Sequence, residues 1–167
     1  MEPYRLRRWR RGSSPDKVAF FTCARPGRSK SAQGHVLDDI VDKWVKRLPN
    51  ATEMSIVSLL GRKQNLDGVS EFSFYSFCGG FDTLAERHGR PSFQQWLDQR
   101  HTQRGIQVLE HPTIDFQLVP QETLGAAATD INRLLSAGRT VILMDSGGET
   151  RTRTVCKHMA FVEDTRA

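Results

Sequence analysis

The stretch VILMDSGGETRTRT, residues 141–154, limits the architecture more than any other part of the chain. Its apolar opening reads as a buried strand that runs straight into a turn with two adjacent glycines, Gly147 and Gly148. The polar residues after the turn have the character of the first turns of a helix. A strand, a glycine-rich turn and a helix in immediate succession gather backbone N–H groups and the positive end of a helix dipole around one small concave space. Such a space suits an anion, phosphate above all. Arg151 stands at the far end of the turn with a planar fork that matches phosphate oxygens, and Asp145 stands at its entrance.

The rest of the chain supplies a setting for this unit. A short strand is expected at 18–23, followed by a polar, glycine-punctuated loop through residue 35. Val36, Leu37, Ile40, Val41, Trp44, Val45 and Leu48 recur at the spacing of one helical face, and Pro49 closes that helix. MSIVSLLG (54–61) reads as a buried strand, with Arg62 and Lys63 in the turn beyond it. SEFSFYSF (70–77) alternates like a strand, and CGGFDTLAERHGRP (78–91) reads as an exposed excursion. Ser92 is placed to cap a helix carrying Phe93, Trp96 and Leu97, and IQVLE (106–110) follows as a strand. PQETLGAAATDINRLLSAG (120–138) is a helix with Leu124, Ala127, Ala128, Ile131, Leu134 and Leu135 on one face. RTVCKHMAF is expected as the next helix after the glycine turn. Helices alternating with short apolar strands imply an α/β fold whose central, mostly parallel sheet is flanked by helices.

At 167 residues with 38% apolar content, the chain is sized for one domain. The net charge of +5 is concentrated at one end: residues 1–11 hold five arginines against Glu2 and supply +4 of it. Residues 1–15 are therefore expected as a flexible basic arm with a possible anionic partner, and 16–167 as the single folded domain. With the excess confined to an arm, nucleic acid is not an expected partner. Cys23, Cys78 and Cys156 are odd in number and lack metal-site or disulfide spacing, so they read as reduced thiols that pack. His35, His88, His101, His111 and His158 form no HxH or HExxH pattern, so no metal or cofactor is expected. No stretch approaches the roughly 20 apolar residues of a membrane span, and a cytoplasmic location is expected.

Two familiar phosphate loops do not match: there is no lysine after the second glycine, and no G-x-G-x-x-G. The stretch instead resembles the signature of the cysteine-dependent protein tyrosine and dual-specificity phosphatases. Their loop carries His-Cys, then Gly, Arg and Ser or Thr at fixed spacing, and Gly148, Arg151 and Thr152 fall on the last three. The resemblance implies a tyrosine-phosphatase-like fold, a phosphate-binding loop of Ser146, Gly147, Gly148, Glu149, Thr150 and Arg151, and a general acid on a movable upstream loop. Asp115, thirty residues before Asp145 and set between Pro112 and Pro120, matches that acid. The departure lies at the nucleophile. The cysteine position holds Asp145 and the histidine before it is Met144.

In the family a thiolate of depressed pKa attacks phosphorus; a carboxylate is a far poorer nucleophile and repels the incoming phosphate. Thr152, which matches the hydroxyl that settles the leaving thiolate, has no thiolate to serve. Three readings follow. The first is a pseudophosphatase that recognises a phosphorylated protein or a small phosphoester. The second is a phosphomonoester hydrolase with Asp145 as nucleophile or base and Asp115 as acid. The third is a non-enzymatic α/β interaction domain without a phosphate site, in which Asp145 merely caps the helix after the turn.

Overall fold

The structure, a computed structural model, describes residues 4–11, 19–28, 36–62, 71 and 91–165. Its strands are β1 (Arg7–Arg11), β2 (Phe20–Ala24), β3 (Met54–Ser58), β4 (Gln107–Glu110), β5 (Thr140–Asp145) and β6 (Phe161–Glu163). Four helices accompany them, α1 (Asp38–Lys46), α2 (Phe93–Arg100), α3 (Gln121–Ser136) and α4 (Thr150–His158), with a 3₁₀ turn at Thr102–Arg104. The strands form one sheet in the order β4-β3-β5-β2-β1-β6. β4, β3, β5 and β2 pair in parallel, whereas β1 runs antiparallel to both β2 and β6. The architecture is the mostly parallel α/β sheet that the alternation of helices and strands implied.

Side chains on successive residues of a strand point to opposite faces, and β5 shows what that does here. Ile142 and Met144 join a core with Val41, Trp44 and Val45 of α1 and Phe93, Trp96 and Leu97 of α2. Val141 and Leu143 join a second core with Leu124, Ala127, Ile131 and Leu134 of α3 and Val155 and Cys156 of α4. Both tryptophans expected in the core are there. Ser92 and Gln95 form a reciprocal capping box at the start of α2, as the sequence suggested for Ser92. Because the four parallel strands end on the same edge of the sheet, the turn after β5, a central strand, opens at the place where such sheets bind ligands.

The basic amino terminus is the main correction. Residues 7–11, expected within an arm, are β1, an interior strand of the sheet. Trp9 decides this: it is buried in the second core and its Nε1 donates to Thr22 Oγ1 at 2.8 Å. The arginines around it pack as well as solvate. Arg11 lies 4.8 Å over the Phe161 ring and donates to Asn132, so its planar head covers an aromatic face. The helix expected through Phe161 stops earlier. α4 ends at His158, Ala160 turns the chain with φ of +60°, and Phe161 enters β6, its ring 4.5 Å from that of Phe20. The strand expected at 70–77, apart from Glu71, lies outside the described residues. So do the excursion through residue 90, Lys63 and the loop at 29–35.

Candidate functional site

Beyond Asp145 the chain passes through Ser146, Gly147, Gly148 and Glu149 before α4 begins at Thr150. Gly148 has φ of +68°, and a Cβ there would meet the backbone nitrogen of Ala24 at 2.4 Å. Only glycine lets this turn close against the end of β2. The outside of the turn is held by the amino terminus. Arg5 Nη1 donates to Gly147 O at 3.0 Å, and Arg7 Nη1 donates to Gly148 O at 3.1 Å. Arg7 Nη2 also pairs with Glu149 at 2.6 Å. The Ala24 amide in turn donates to Tyr4 O at 2.9 Å, which fixes the approach to β1. Two features that looked unrelated in the sequence, the arginine-rich start and the glycine turn, are one structural unit.

Asp145 points into the turn. One carboxylate oxygen accepts the Gly148 amide, and the other accepts the Thr152 amide at 3.0 Å. Thr152 is the third residue of α4, and Glu149, at the cap position, supplies no side-chain cap. Asp145 therefore satisfies an orphan N–H of the helix from seven residues upstream, and its charge faces the positive end of the helix dipole. Asp145 as a whole is 2% exposed. Thr152 Oγ1 donates to Glu149 O at 3.3 Å, which ties the first turn of the helix to the loop.

The Arg151 side chain is buried beside the cleft and held by three neighbours. Its Nη1 lies 2.7 Å from Glu71 Oε1 and donates to Thr113 Oγ1 at 2.8 Å, while Nη2 lies 3.3 Å from Asp115 Oδ1. Thr113 Oγ1 in turn donates to Leu59 O. Burial pushes the Glu71 carboxyl up to about 7, against the pull of Arg151 and with a further push from Asp115. The two residues expected as acid and phosphate clamp, Asp115 and Arg151, do meet, and they meet as an ion pair.

Above the turn lies a cleft of about 450 Å³. The expected residues Asp115, Asp145, Ser146, Gly147, Glu149, Thr150 and Arg151 line it, whereas Gly148 and Thr152 act from beneath. The remaining lining, Arg5, Arg28, Phe116, Gln117 and Leu118, was not anticipated from the sequence. Phe116 is 80% exposed and Leu118 93%. Arg5 and Phe116 hold φ of +58° and +65°, values that side chains other than glycine adopt at a cost. Thr113 and Glu71 complete the site behind Arg151. A polar Thr after Pro112 and an acid within an aromatic run were the only signals of them.

The other candidates are structural. Cys156 is buried in the second core, as expected, and burial pushes its thiol up to about 12. His111 pairs with Asp130 at 2.7 Å and His101 with Asp42 at 2.8 Å. Among the described residues, no group of three His, Cys, Asp or Glu side chains is arranged to hold a metal, and no helix is long and apolar enough to cross a membrane.

No family model matches the chain, and no curated protein matches it. Among solved structures it is similar to Tk-PTP, a protein tyrosine phosphatase, in its active form. That likeness has a TM-score of 0.45 and 17% identity, over 84% of this chain and 65% of the other. A glycine-to-alanine mutant form of Tk-PTP gives a TM-score of 0.49 and 15% identity, over 89% of this chain and 68% of the other. The chain thus spans 65% and 68% of the length of the two structures.

Proposed function

We propose that this chain is a phosphatase-like domain without phosphoryl-transfer chemistry, a pseudophosphatase, which uses the cleft at the strand ends to hold a phosphoester. The phosphoester belongs to a phosphorylated protein or to a small molecule. The carrying observation is the posture of Asp145, with both carboxylate oxygens engaged by the amides of Gly148 and Thr152. A nucleophile needs an accessible oxygen free to advance on phosphorus, and each oxygen of this buried side chain is held by a backbone amide. Two unit charges about 4 Å apart repel by roughly 4 kcal/mol at an effective dielectric of 20, so Asp145 also weakens any dianion in the turn. The arginines around the cleft favour an anion nevertheless.

Turnover of a generic aryl phosphate is expected at background level and indifferent to thiol alkylation, since the buried Cys156 thiol takes no part. Titration with inorganic phosphate, followed through the backbone amides of Ser146–Arg151, tests the binding. Shifts confined to that turn support the reading. Robust hydrolysis that Asp145→Asn abolishes would replace it with a carboxylate enzyme. A second reading draws on the same two hydrogen bonds: Asp145 is only a helix cap and the turn only a connection. It prevails if no amide of the turn moves with phosphate down to pH 5.

A further inference from the structure

We propose that the cleft selects a phosphodiester monoanion that carries an aromatic ring, and that Arg5 and Arg28, rather than Arg151, are the cations that read it. The proposal rests on the reading of the cleft as a phosphoester site. Its first support is the pairing of the charged residues that line the cleft. Arg151 is matched by Asp115 at 3.3 Å, and Glu149 by Arg7 at 2.6 Å. Among the described lining residues that leaves Arg5 and Arg28 against Asp145, a surplus of one positive charge. Glu71, behind Arg151, removes the surplus when it ionises. A dianion placed here would leave the cleft negative, whereas a monoanion is balanced.

The second support is the apolar part of the lining. Phe116 and Leu118 stand 80% and 93% exposed in a chain whose other large apolar side chains are mostly buried among the described residues. Exposed apolar groups at the edge of a polar pocket call for an apolar ligand body, and the face of Phe116 suits a flat ring. A volume of about 450 Å³ falls in the range of small-molecule pockets. The third support is positional. Arg5 and Phe116, which both line the cleft, are two of the three described non-glycine residues with positive φ. Arg5 is further fixed by its bond to Gly147 O and by the Tyr4 ring 4.9 Å beneath its guanidinium. Backbone held at a cost at two residues lining one cavity marks a place where side-chain direction matters.

The test uses the full chain at about pH 6.5, where Glu71 mostly keeps its proton and an aryl monophosphate is mostly dianionic, with three probes read by calorimetry and by the amides of residues 146–151. Diphenyl phosphate is a monoanion with rings, dimethyl phosphate a monoanion without them, and phenyl phosphate is mostly dianionic because its second pKa is about 6. Diphenyl phosphate is expected to bind about tenfold more tightly than either of the others. Arg28→Gln and Arg5→Gln should each weaken it by about tenfold. Arg28→Gln decides the matter if Arg5→Gln disturbs the turn through Gly147. Adenosine 3′,5′-cyclic monophosphate distinguishes the source of the ring: binding tighter than diphenyl phosphate indicates a nucleoside diester, weaker binding an aryl one. Phenyl phosphate binding best, dimethyl phosphate matching diphenyl phosphate, or wild-type affinity in both arginine variants would overturn the proposal while leaving a phosphoester site. If no probe binds and no amide moves, the underlying reading of the cleft fails instead.

Discussion

Two arginine–carboxylate clusters with nearly the same inventory sit in different surroundings. Beside the cleft, Arg151 meets Glu71 and Asp115, with side chains 6%, 0% and 10% exposed. Across the α1–α2 seam, Arg100 meets Asp42 and Asp38, with side chains 40%, 22% and 44% exposed. The outer cluster has the better geometry. Arg100 donates through both Nε and Nη2 to the two oxygens of Asp42, at 3.2 and 2.6 Å, and His101 adds a contact at 2.8 Å. The inner cluster has the greater consequence, because charge taken out of water has no alternative partner. Arg100 lowers the Asp42 carboxyl from its ordinary value, with help from His101, while burial raises that of Glu71. Contact with arginine alone therefore does not fix the behaviour of a carboxylate; hydration does.

Removing the inner cation gives the largest effect. Arg151→Met leaves Glu71 and Asp115 facing each other in a buried site, and the expected loss of stability in denaturant unfolding is about 3–5 kcal/mol. In unfolding measured above about pH 8, adding Glu71→Gln should recover part of that loss, because the unfolded chain ionises Glu71 freely and the buried site without its cation does not. A double variant no more stable than Arg151→Met under those conditions would mean that burial costs the Glu71 carboxylate nothing, and that the pairing contributes through its hydrogen bonds alone.

The two clusters should also respond to pH with opposite sign. Glu71 has a folded pKa of about 7 against an ordinary value of 4.5. The folded state thus holds a proton that the unfolded state releases, and stability falls as pH rises from 4.5 to about 7. Asp42 is lowered from 3.8, so its contribution is present above that value and lost as pH falls below it. Subtracting the melting profile of Glu71→Gln from that of the wild type should isolate a decline between pH 4.5 and 7, and Asp42→Asn should isolate a decline only in acid. A Glu71→Gln difference that is flat across neutral pH would remove the inner half of the contrast.

How much of this could be read from the chain depended on the range of each contact. The turn after VILM was legible because strand, glycines and helix start follow one another, and Asp115 with Arg151 was legible as a spacing. The sheet class followed from alternation. Glu71 was hidden inside SEFSFYSF, where the aromatics dominate the pattern and a single acid looks like the polar side of a strand. Arg5 and Arg7 were hidden by composition: five arginines in eleven residues read as a solvated arm. Local sequence does not reveal that their partners are carbonyls more than 140 positions away. Trp9 was the one residue in that segment at odds with an arm, since a buried indole needs a partner for its N–H and finds one in Thr22. The inward turn of Asp145 was among the alternatives, because an aspartate ahead of a helix is a natural cap, but residue type alone does not say which way the carboxylate faces.

The smallest effect belongs to the outer cluster, and it is the sharper control for that reason. Arg100→Gln removes the bidentate contact with Asp42, the longer contact with Asp38 at 3.7 Å and the guanidinium 5.3 Å above Trp96. Water replaces the ionic contacts at once, so the expected cost is below about 1 kcal/mol and shrinks further in high salt. The stacking on Trp96 is the part that salt does not screen, and it sets the residue of the effect at about 0.5–1 kcal/mol. α2 is anchored independently by the Ser92 capping box and by the Trp96 Nε1 bond to Asp38 at 2.9 Å, so the seam should stay closed. Amides 146–151 should be unmoved, because α2 packs on the sheet face opposite α3 and α4. A cost near that of Arg151→Met would show that paired geometry rather than burial sets the worth of an arginine in this fold, and the distinction between the two clusters would collapse.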